Sequence, residues 1–508
     1  MIRVDGGLTL IGPTTNVCVD CAENARLATA RAPRQNLRLK GLIAPAFQPL
    51  VAALQGQERD TVIAIRTDLG LVSTHRITPG NCCSPEPVSH KDTSTPAGEL
   101  RTPNDKTTVD GLKDAVVDFR HGPVTALFRT GNLPLATVTA ELDSHTAGYG
   151  RTTSFEEAER VAIFEAIERL NGMRPRVPST LEASFAELGP DQALDPERLG
   201  LNDFGNTYHP DLRIRWTPGW SYTRRKPIQV PEQVAYWGAH TPPEQRFLHE
   251  TSNGCGLGNS LTEAVLHGLF EVAERDAFLM AWYAQTPLRK IKLPNEPLLH
   301  HLTDRLAELG YELLFLDATN DLGIPAVLSL ARARRSDLPQ AFFAAGASPD
   351  PTKAMRSAAV EVAVDVEAFA DRARENPENY QRERLLSLLH DPTQVRSMDD
   401  HVAVNTLPEA KTRYASLVSD EPPQALNNQP RHTDLKELLD HYTEDLKAKG
   451  LELIAVDQSD PHTANTLGLH SAKVIVPGTL PMTFGHLHRR TRGLPRLDLQ
   501  AGHPHPFP

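Results

Sequence analysis

The residues best suited to chemistry lie in two segments, SFEEAERVAIFEAIER (154–169) and SLTEAVLHGLFEVAER (260–275). At a constant offset of 106, seven of their sixteen positions are identical: Ser154/Ser260, Glu157/Glu263, Ala158/Ala264, Phe164/Phe270, Glu165/Glu271, Glu168/Glu274 and Arg169/Arg275. Each segment ends in Glu-x-x-Glu-Arg, and on a helix those three side chains share one face. Two carboxylates so placed repel each other and make a poor surface motif. They make a good ligand set for Mg²⁺, which prefers carboxylates and water and shares its shell with substrate phosphates. The arginine is then placed to meet phosphate oxygens. The plainer reading is an exposed i,i+4 Glu–Arg pair worth about 0.3–0.5 kcal/mol. It accounts for one such cassette but not for the repeat.

The elements that must position these groups are helices with marked beginnings. Each cassette opens with Ser-x-x-Glu, the signature of a capping box. Gly148-Tyr149-Gly150-Arg151-Thr152 precedes the first and Asn253-Gly254-Cys255-Gly256-Leu257-Gly258-Asn259 the second. Both read as Gly-rich loops feeding helix N-termini, where backbone N–H groups and the helix dipole favour an anion. No G-K-[ST] occurs anywhere, so a P-loop is excluded. The pattern points to a nucleotide site built from two matching helical cassettes.

Around them, VTALFR, LATVTAEL, ELLFLDA, AVLSLAR and KVIVPG read as strands, and 154–171, 260–284, 297–309, 351–372 and 432–449 have helical periodicity. The expected organisation is an α/β (α+β) catalytic domain over 110–508, a Pro/Ser/Thr-rich linker over 84–109, and a small mixed α/β, β-rich module over 1–83. Residues 172–245 read as an elaboration, and 373–430 as polar, irregular and peripheral. A chain of 508 residues with 40% hydrophobic and 23% charged residues is an ordinary globular protein of several domains. Its formal net charge of −11 argues against nonspecific nucleic-acid binding. No stretch reaches the ~18 apolar residues of a membrane helix. No signal peptide opens the chain, and five cysteines are too few and too clustered for a disulfide framework, so a cytoplasmic protein is expected.

GYGRTTSFEEAERVAIFEAIERLNG, SNGCGLGNSLTEAVLHGLFEVAERDA, GASPDPTKAMRSAAVEVA and KVIVPGTLPMTFG together resemble the YcaO family of ATP-dependent, peptide-backbone-modifying enzymes. The resemblance implies a YcaO-type ATP-binding domain. Its Mg²⁺ and ATP ligands fall on Arg151, Ser154, Glu165, Glu168, Arg169, Asn253, Glu263, Glu271, Glu274 and Arg275, with Arg356 and Glu361 from a third segment. Ser357 stands where relatives often carry an arginine. The terminal Pro504-His505-Pro506-Phe507-Pro508 looks like the Pro-x-Pro-x-Pro tail of the azoline-forming cyclodehydratases, where a rigid tail reaches the active site; Pro504, Pro506 and Pro508 carry that likeness. A polyproline segment loses little entropy on ordering.

Cys18-x-x-Cys21 has metal-ligand spacing, and Cys82-Cys83 is a second thiol pair. The first is similar to the Gly-Pro…Cys-x-x-Cys segment of a zinc-bearing domain associated with these enzymes. The adjacent second pair departs from that pattern. A structural Cys₄ Zn²⁺ site and a metal-free module both stay open. The resemblance implies cyclodehydration of Cys, Ser or Thr in a ribosomally made precursor peptide, in thiazole/oxazole-type bacteriocin or thiopeptide biosynthesis. With 83 residues before the linker, the chain is too short for a whole leader-binding domain, which implies a partner protein. An azoline dehydrogenase is a further implied partner, and a homodimer is compatible. The alternatives are a thioamide- or amidine-forming relative and a non-catalytic scaffold subunit.

Overall fold

The structure, a computed structural model, describes residues 2–5, 8–12, 61–66, 69–77, 101–132, 134–142, 146–175, 179–205, 207–426, 432 and 434–507. The expected zinc ligands Cys18, Cys21, Cys82 and Cys83, most of the expected linker, and Pro508 lie outside the described residues. The chain divides into two compact units. One holds the described residues up to 77 with 103–171 and 459–470; the other holds 101–102, 172–458 and 471–507.

In the first unit, β1 (Ile2–Asp5), β2 (Leu8–Ile11), β3 (Thr61–Arg66) and β4 (Leu71–Arg76) form an antiparallel sheet in sequence order. Interior strand β3 buries Val62, Ile63 and Ala64, whereas edge strand β4 exposes Leu71 and Val72. Helix α1 (Val109–Val116) starts at Thr108, whose hydroxyl accepts the Gly111 amide, and it buries Leu112 and Val116 one turn apart. A second antiparallel sheet, β5 (Ala126–Asn132), β6 (Leu135–Glu141) and β7 (Ala147–Thr152), leads into α2 (Phe155–Met173).

The second unit has two sheets. The first contains β8 (Glu182–Ala183), β9 (Ile214–Ser221), β10 (Lys226–Pro231), β11 (Cys255–Gly258), β16 (Ile454–Asp457) and β17 (His470–Ile475) in the order β10-β9-β16-β17-β11, with β8 paired to β9. The other is the antiparallel set β12 (Arg289–Lys290), β13 (Tyr311–Asp317), β14 (Ala326–Ala333) and β15 (Ala341–Ala347). Its helices of seven residues or more are α3 (Leu261–Ala284), α4 (Pro297–Glu308), α5 (Pro351–Glu375), α6 (Arg382–His390), α7 (Met398–Val404) and α8 (Leu435–Ala448). Helix α3 is apolar nearly all round. Ala264, Leu269 and Ala273 pack with Leu435, Leu439 and Tyr442 of α8. Its last turns, through Phe278 and Trp282, pack with Leu328, Phe343 and Phe507.

The α/β class and the expected strands and helices are present. The described part of the 373–430 stretch, residues 373–426, differs from expectation. It folds into α6, α7 and short 3₁₀ turns around a core of its own, with Leu385, Leu388, Val395, Val404 and Leu407 buried. Short turns with few apolar residues each leave no periodic signal, yet their contacts close a core. Among the described residues no helix is long and apolar enough to cross a membrane.

The Gly-rich segments are not loops: β7 and β11 are paired strands. Their glycines let strand backbone lie directly on helix backbone. A Cβ on Gly150 would meet the Ala158 carbonyl oxygen at 1.8 Å, and one on Gly256 the Ala264 carbonyl oxygen at 2.2 Å. The same contact recurs where β15 meets α5, with Gly346 at 2.3 Å from the Ala354 carbonyl oxygen. All three are backbone obstacles that no rotamer change relieves. Gly256→Ala is therefore expected to destabilise the second unit by about 3 kcal/mol or more, read as a lowered midpoint in urea denaturation.

Candidate functional site

In the first unit the strand-on-helix contact sets the site residues directly. Seven residues beyond Ala158, two helical turns on, stands Glu165. Its carboxylate accepts the Tyr149 amide of β7 at 2.6 Å and pairs with Arg169 at 2.6 Å. Arg169 also donates to the Ala147 carbonyl at 2.7 Å, and Arg151 and Arg169 both lie over the Tyr149 ring at 5.5 Å. Glu168 follows one turn on and is half-buried. Ser154 caps α2 by accepting the Glu157 amide at 3.3 Å. The Glu157 side chain pairs with Arg160 instead of reaching back, so the expected capping box is half-formed.

The second unit repeats the construction. Glu271 stands seven residues beyond Ala264 and accepts the Gly254 amide of the preceding segment at 3.0 Å. Arg275 lies 3.7 Å from Glu271 and 3.5 Å from Glu274. Ser260 caps α3 through the Glu263 amide. Glu263 is fully buried. It accepts the Thr102 amide at 2.7 Å with Arg101 at 3.7 Å, which places it in structural support of the α3 start. Asn253, also buried, donates to the Met482 carbonyl at 2.6 Å.

A third copy escaped the sequence reading. Gly346 and Ala354 repeat the spacing of Gly256 and Ala264, and Glu361 stands seven residues beyond Ala354, where Glu271 stands beyond Ala264. The glycine, alanine and glutamate are the positions common to all three copies, too few to signal a repeat. Glu361 faces the α3 carboxylates electrostatically: it helps push Glu274 up. Arg356 does not join it. Five residues apart, the two sit about 140° around the helix, and Arg356 pairs with Glu296, the N-cap of α4.

The electrostatics centre on Glu274. Burial pushes its carboxyl up to about 8, with the neighbouring Glu361 and Glu271 charges adding to the rise and Arg275 opposing it. Burial first, and two neighbouring carboxylates second, hold the Glu274 carboxyl back from ionising, and a bound cation would relieve both. Oxygen donors of this kind suit Mg²⁺. Among the described residues no group of three or more His, Cys, Asp or Glu is preassembled as a metal cage. Mg²⁺ needs none, because it keeps waters and takes phosphate oxygens to complete its shell.

The tail is ordered and not frayed. Pro504, His505, Pro506 and Phe507 are buried, and Phe507 sits against Phe278 with its ring 4.4 Å from the Arg275 guanidinium. His401 of α7 holds it: its Nδ1 donates to the His505 carbonyl at 2.7 Å while its Nε2 accepts the Gly485 amide at 3.0 Å. His505 Nε2 in turn donates to the Thr483 carbonyl at 2.9 Å, and the two rings stack at 4.2 Å. Sequence reading missed His401 because nothing local marks a partner 104 residues away.

A family model described as YcaO cyclodehydratase, ATP- and Mg²⁺-binding, matches residues 149–480, more than half of the chain. An uncharacterized protein in the tfuA 3′ region of Rhizobium leguminosarum bv. trifolii is 29% identical over 402 residues, covering 73% of this chain and 86% of that protein. The fold is similar to that of a heterocyclase solved in complex with substrate and cofactor, with TM-score 0.75 and 22% identity over 99% of this chain and 76% of that one. It is also similar to that of YcaO from Methanopyrus kandleri bound with AMPPCP and Mg²⁺, with TM-score 0.51 and 21% identity over 75% and 92%.

The raised carboxyl of Glu274 has a stability signature. The unfolded chain ionises it near 4.5 and the folded chain near 8. Between those values the folded state binds more protons, so its contribution to stability falls as pH rises. In chelator and without nucleotide, the melting temperature of Glu274→Gln relative to wild type is expected to climb from pH 4.5 to pH 8 and level off above. A difference that stays flat across that window would place the proton elsewhere.

Proposed function

The chain belongs to the YcaO family of ATP- and Mg²⁺-binding cyclodehydratases, and we propose that it converts Cys, Ser or Thr residues of a ribosomally made precursor peptide into thiazolines or (methyl)oxazolines. The observation that carries this reading is the α3 cluster, where Glu271, Glu274 and Arg275 meet Glu361 in a partly buried, acid-rich setting.

Glu271 and Glu274, with Glu361, are the proposed cation ligands of the second unit, and Glu165 and Glu168 those of the first. When bound, ATP would supply the phosphoryl group that the departing amide oxygen accepts, leaving ADP, and Mg²⁺ would neutralise the charge on the phosphates. A substrate thiol or hydroxyl adds to the preceding backbone carbonyl. The oxygen leaves on phosphate and the amide nitrogen gives up its proton, so each ring costs the peptide one oxygen and two hydrogens. Arg169 and Arg275 are the proposed phosphate contacts, each already held by a glutamate one turn back. Arg151 and Asn253 are proposed to line the nucleotide site. Glu263 and Ser154 support the helix starts, and Arg356 acts through Glu296.

The tail segment 504–507 is proposed to work beside this cluster, supported by Phe507 over Arg275. A precursor peptide and a leader-binding partner protein follow from the same reading. The E. coli microcin synthetase McbBCD complex, solved with pro-MccB17 bound, shares the fold at TM-score 0.54 and 13% identity.

Reconstitution with a Cys/Ser/Thr-rich precursor, the partner, ATP and Mg²⁺ is expected to lower the peptide mass by one water per ring. A bound but unmodified peptide would instead identify a scaffold subunit. Glu271→Gln and Glu274→Gln are each expected to cut ATP turnover by 10²-fold or more, about 2.7 kcal/mol of transition-state stabilisation; unaltered hydrolysis would remove them from the site. Deleting residues 504–508 is expected to stop cyclisation and also to lower stability. Loss of a buried phenylalanine such as Phe507 alone costs about 3–5 kcal/mol, so a deletion variant that melts like wild type would contradict the packing.

A further inference from the structure

Beside Arg275, on the second unit, lies a cavity whose charges do not balance. Glu250, Asn253, Arg275, Lys473, Thr479 and Arg490 contribute to its wall, and the remainder is mainly apolar. Glu250, Lys473 and Arg490 are all nearly inaccessible, at 4%, 3% and 2% side-chain exposure. The single carboxylate of Glu250 serves both cations, with Arg490 at 2.9 Å and Lys473 at 3.5 Å.

The two cations are not equivalent. Arg490 spends its remaining N–H groups on the Leu199 and Gly200 carbonyls at 2.7 and 2.9 Å and is a structural clamp. Lys473, in the middle of β17, has the Thr251 carbonyl at 3.2 Å as its one further partner. The triad therefore carries one net positive charge away from water. A buried charge is expensive unless a counter-charge meets it. The cavity is where that counter-charge fits, and the lysine, a compact ammonium with rotatable donors, suits a rounded anion.

We propose that this cavity is a binding site for a small tetrahedral oxyanion, inorganic phosphate, with Lys473 as its charge partner and the Thr479 hydroxyl and Asn253 amide on its wall. The site stands on the charge count and the cavity alone. That the phosphate is the product released from ATP rests on the function proposed above. On that reading the released anion shifts within the cavity from Arg275 toward Lys473, and free phosphate inhibits turnover through Lys473.

The test uses the full chain without nucleotide or Mg²⁺. Millimolar phosphate is expected to raise the melting temperature by about 2 °C or more over chloride of equal ionic strength, and acetate is expected to give no such rise. Lys473→Met leaves Glu250 paired one-to-one with Arg490, so it is expected to fold and to lose the phosphate response, whereas Lys473→Arg keeps it. No rise in the wild type, an equal rise with acetate, or an unchanged rise in Lys473→Met would each overturn the site. A second measurement holds if Lys473→Met fails to fold: equilibrium dialysis of the wild type and of Lys473→Arg is expected to show saturable binding of inorganic phosphate at one per chain. No saturable binding would overturn the proposal. None of these outcomes depends on azoline formation, so the phosphate site and the cyclodehydratase reading fail separately.

Discussion

The arrangement of the candidate site residues depends on a steric allowance: at Gly150, Gly256 and Gly346 the strand backbone rests on helix backbone with no side chain between them. Ordinary packing interposes a layer of side chains. Removing that layer brings strand amides within reach of side chains two turns along the helix, so Glu165 takes the Tyr149 amide and Glu271 takes the Gly254 amide. The glutamates are thus oriented by main chain, which has a fixed donor, and not by neighbouring side chains that have rotamer freedom. Each carboxylate is anchored through one oxygen to a strand amide and turns the other toward the arginine one turn on. Preorganisation of that kind lets an electrostatic site act without reorganising during reaction.

The same compaction concentrates charge. On α3, Glu271 and Glu274 share Arg275 while Glu361 of α5 adds a third carboxylate to the local field. Burial, with the added repulsion of an under-neutralised cluster, pushes the Glu274 carboxyl up. On the other side of Arg275, Glu250 is over-subscribed by Lys473 and Arg490. One region lacks positive charge and its neighbour lacks negative charge. A metal–phosphate ligand satisfies both deficits at once, which a neutral ligand cannot do. The aromatic face of Phe507 on Arg275 adds a desolvated contact that strengthens the fields around it.

The two cassettes were legible because residue identity, spacing and capping serines coincide. The glycines were legible as special but were assigned to the wrong cause. Glycine breaks regular structure in most settings, and close backbone approach inside a strand leaves the same letter. The third copy was invisible because Val364 and Asp365 stand where the cassettes keep the second glutamate and the arginine. Residues 373–430 read as irregular because short turns carry no period, yet they supply His401. The tail could be identified as rigid from its prolines, but its receptor is assembled from Thr483, Gly485 and His401, which only folding brings together.

That receptor ties completion of α3 to the distant 504–507 segment. Phe507 is fully buried against Phe278 and Trp282, yet more than two hundred residues separate it from that helix. At ribosomal elongation rates the interval is on the order of 10–40 s. Through that time the aromatic end of α3 lacks part of its cover and Arg275 lacks its ring. The nascent enzyme is thus expected to hold an exposed apolar face during synthesis, one that invites chaperone contact, until the 504–507 segment docks.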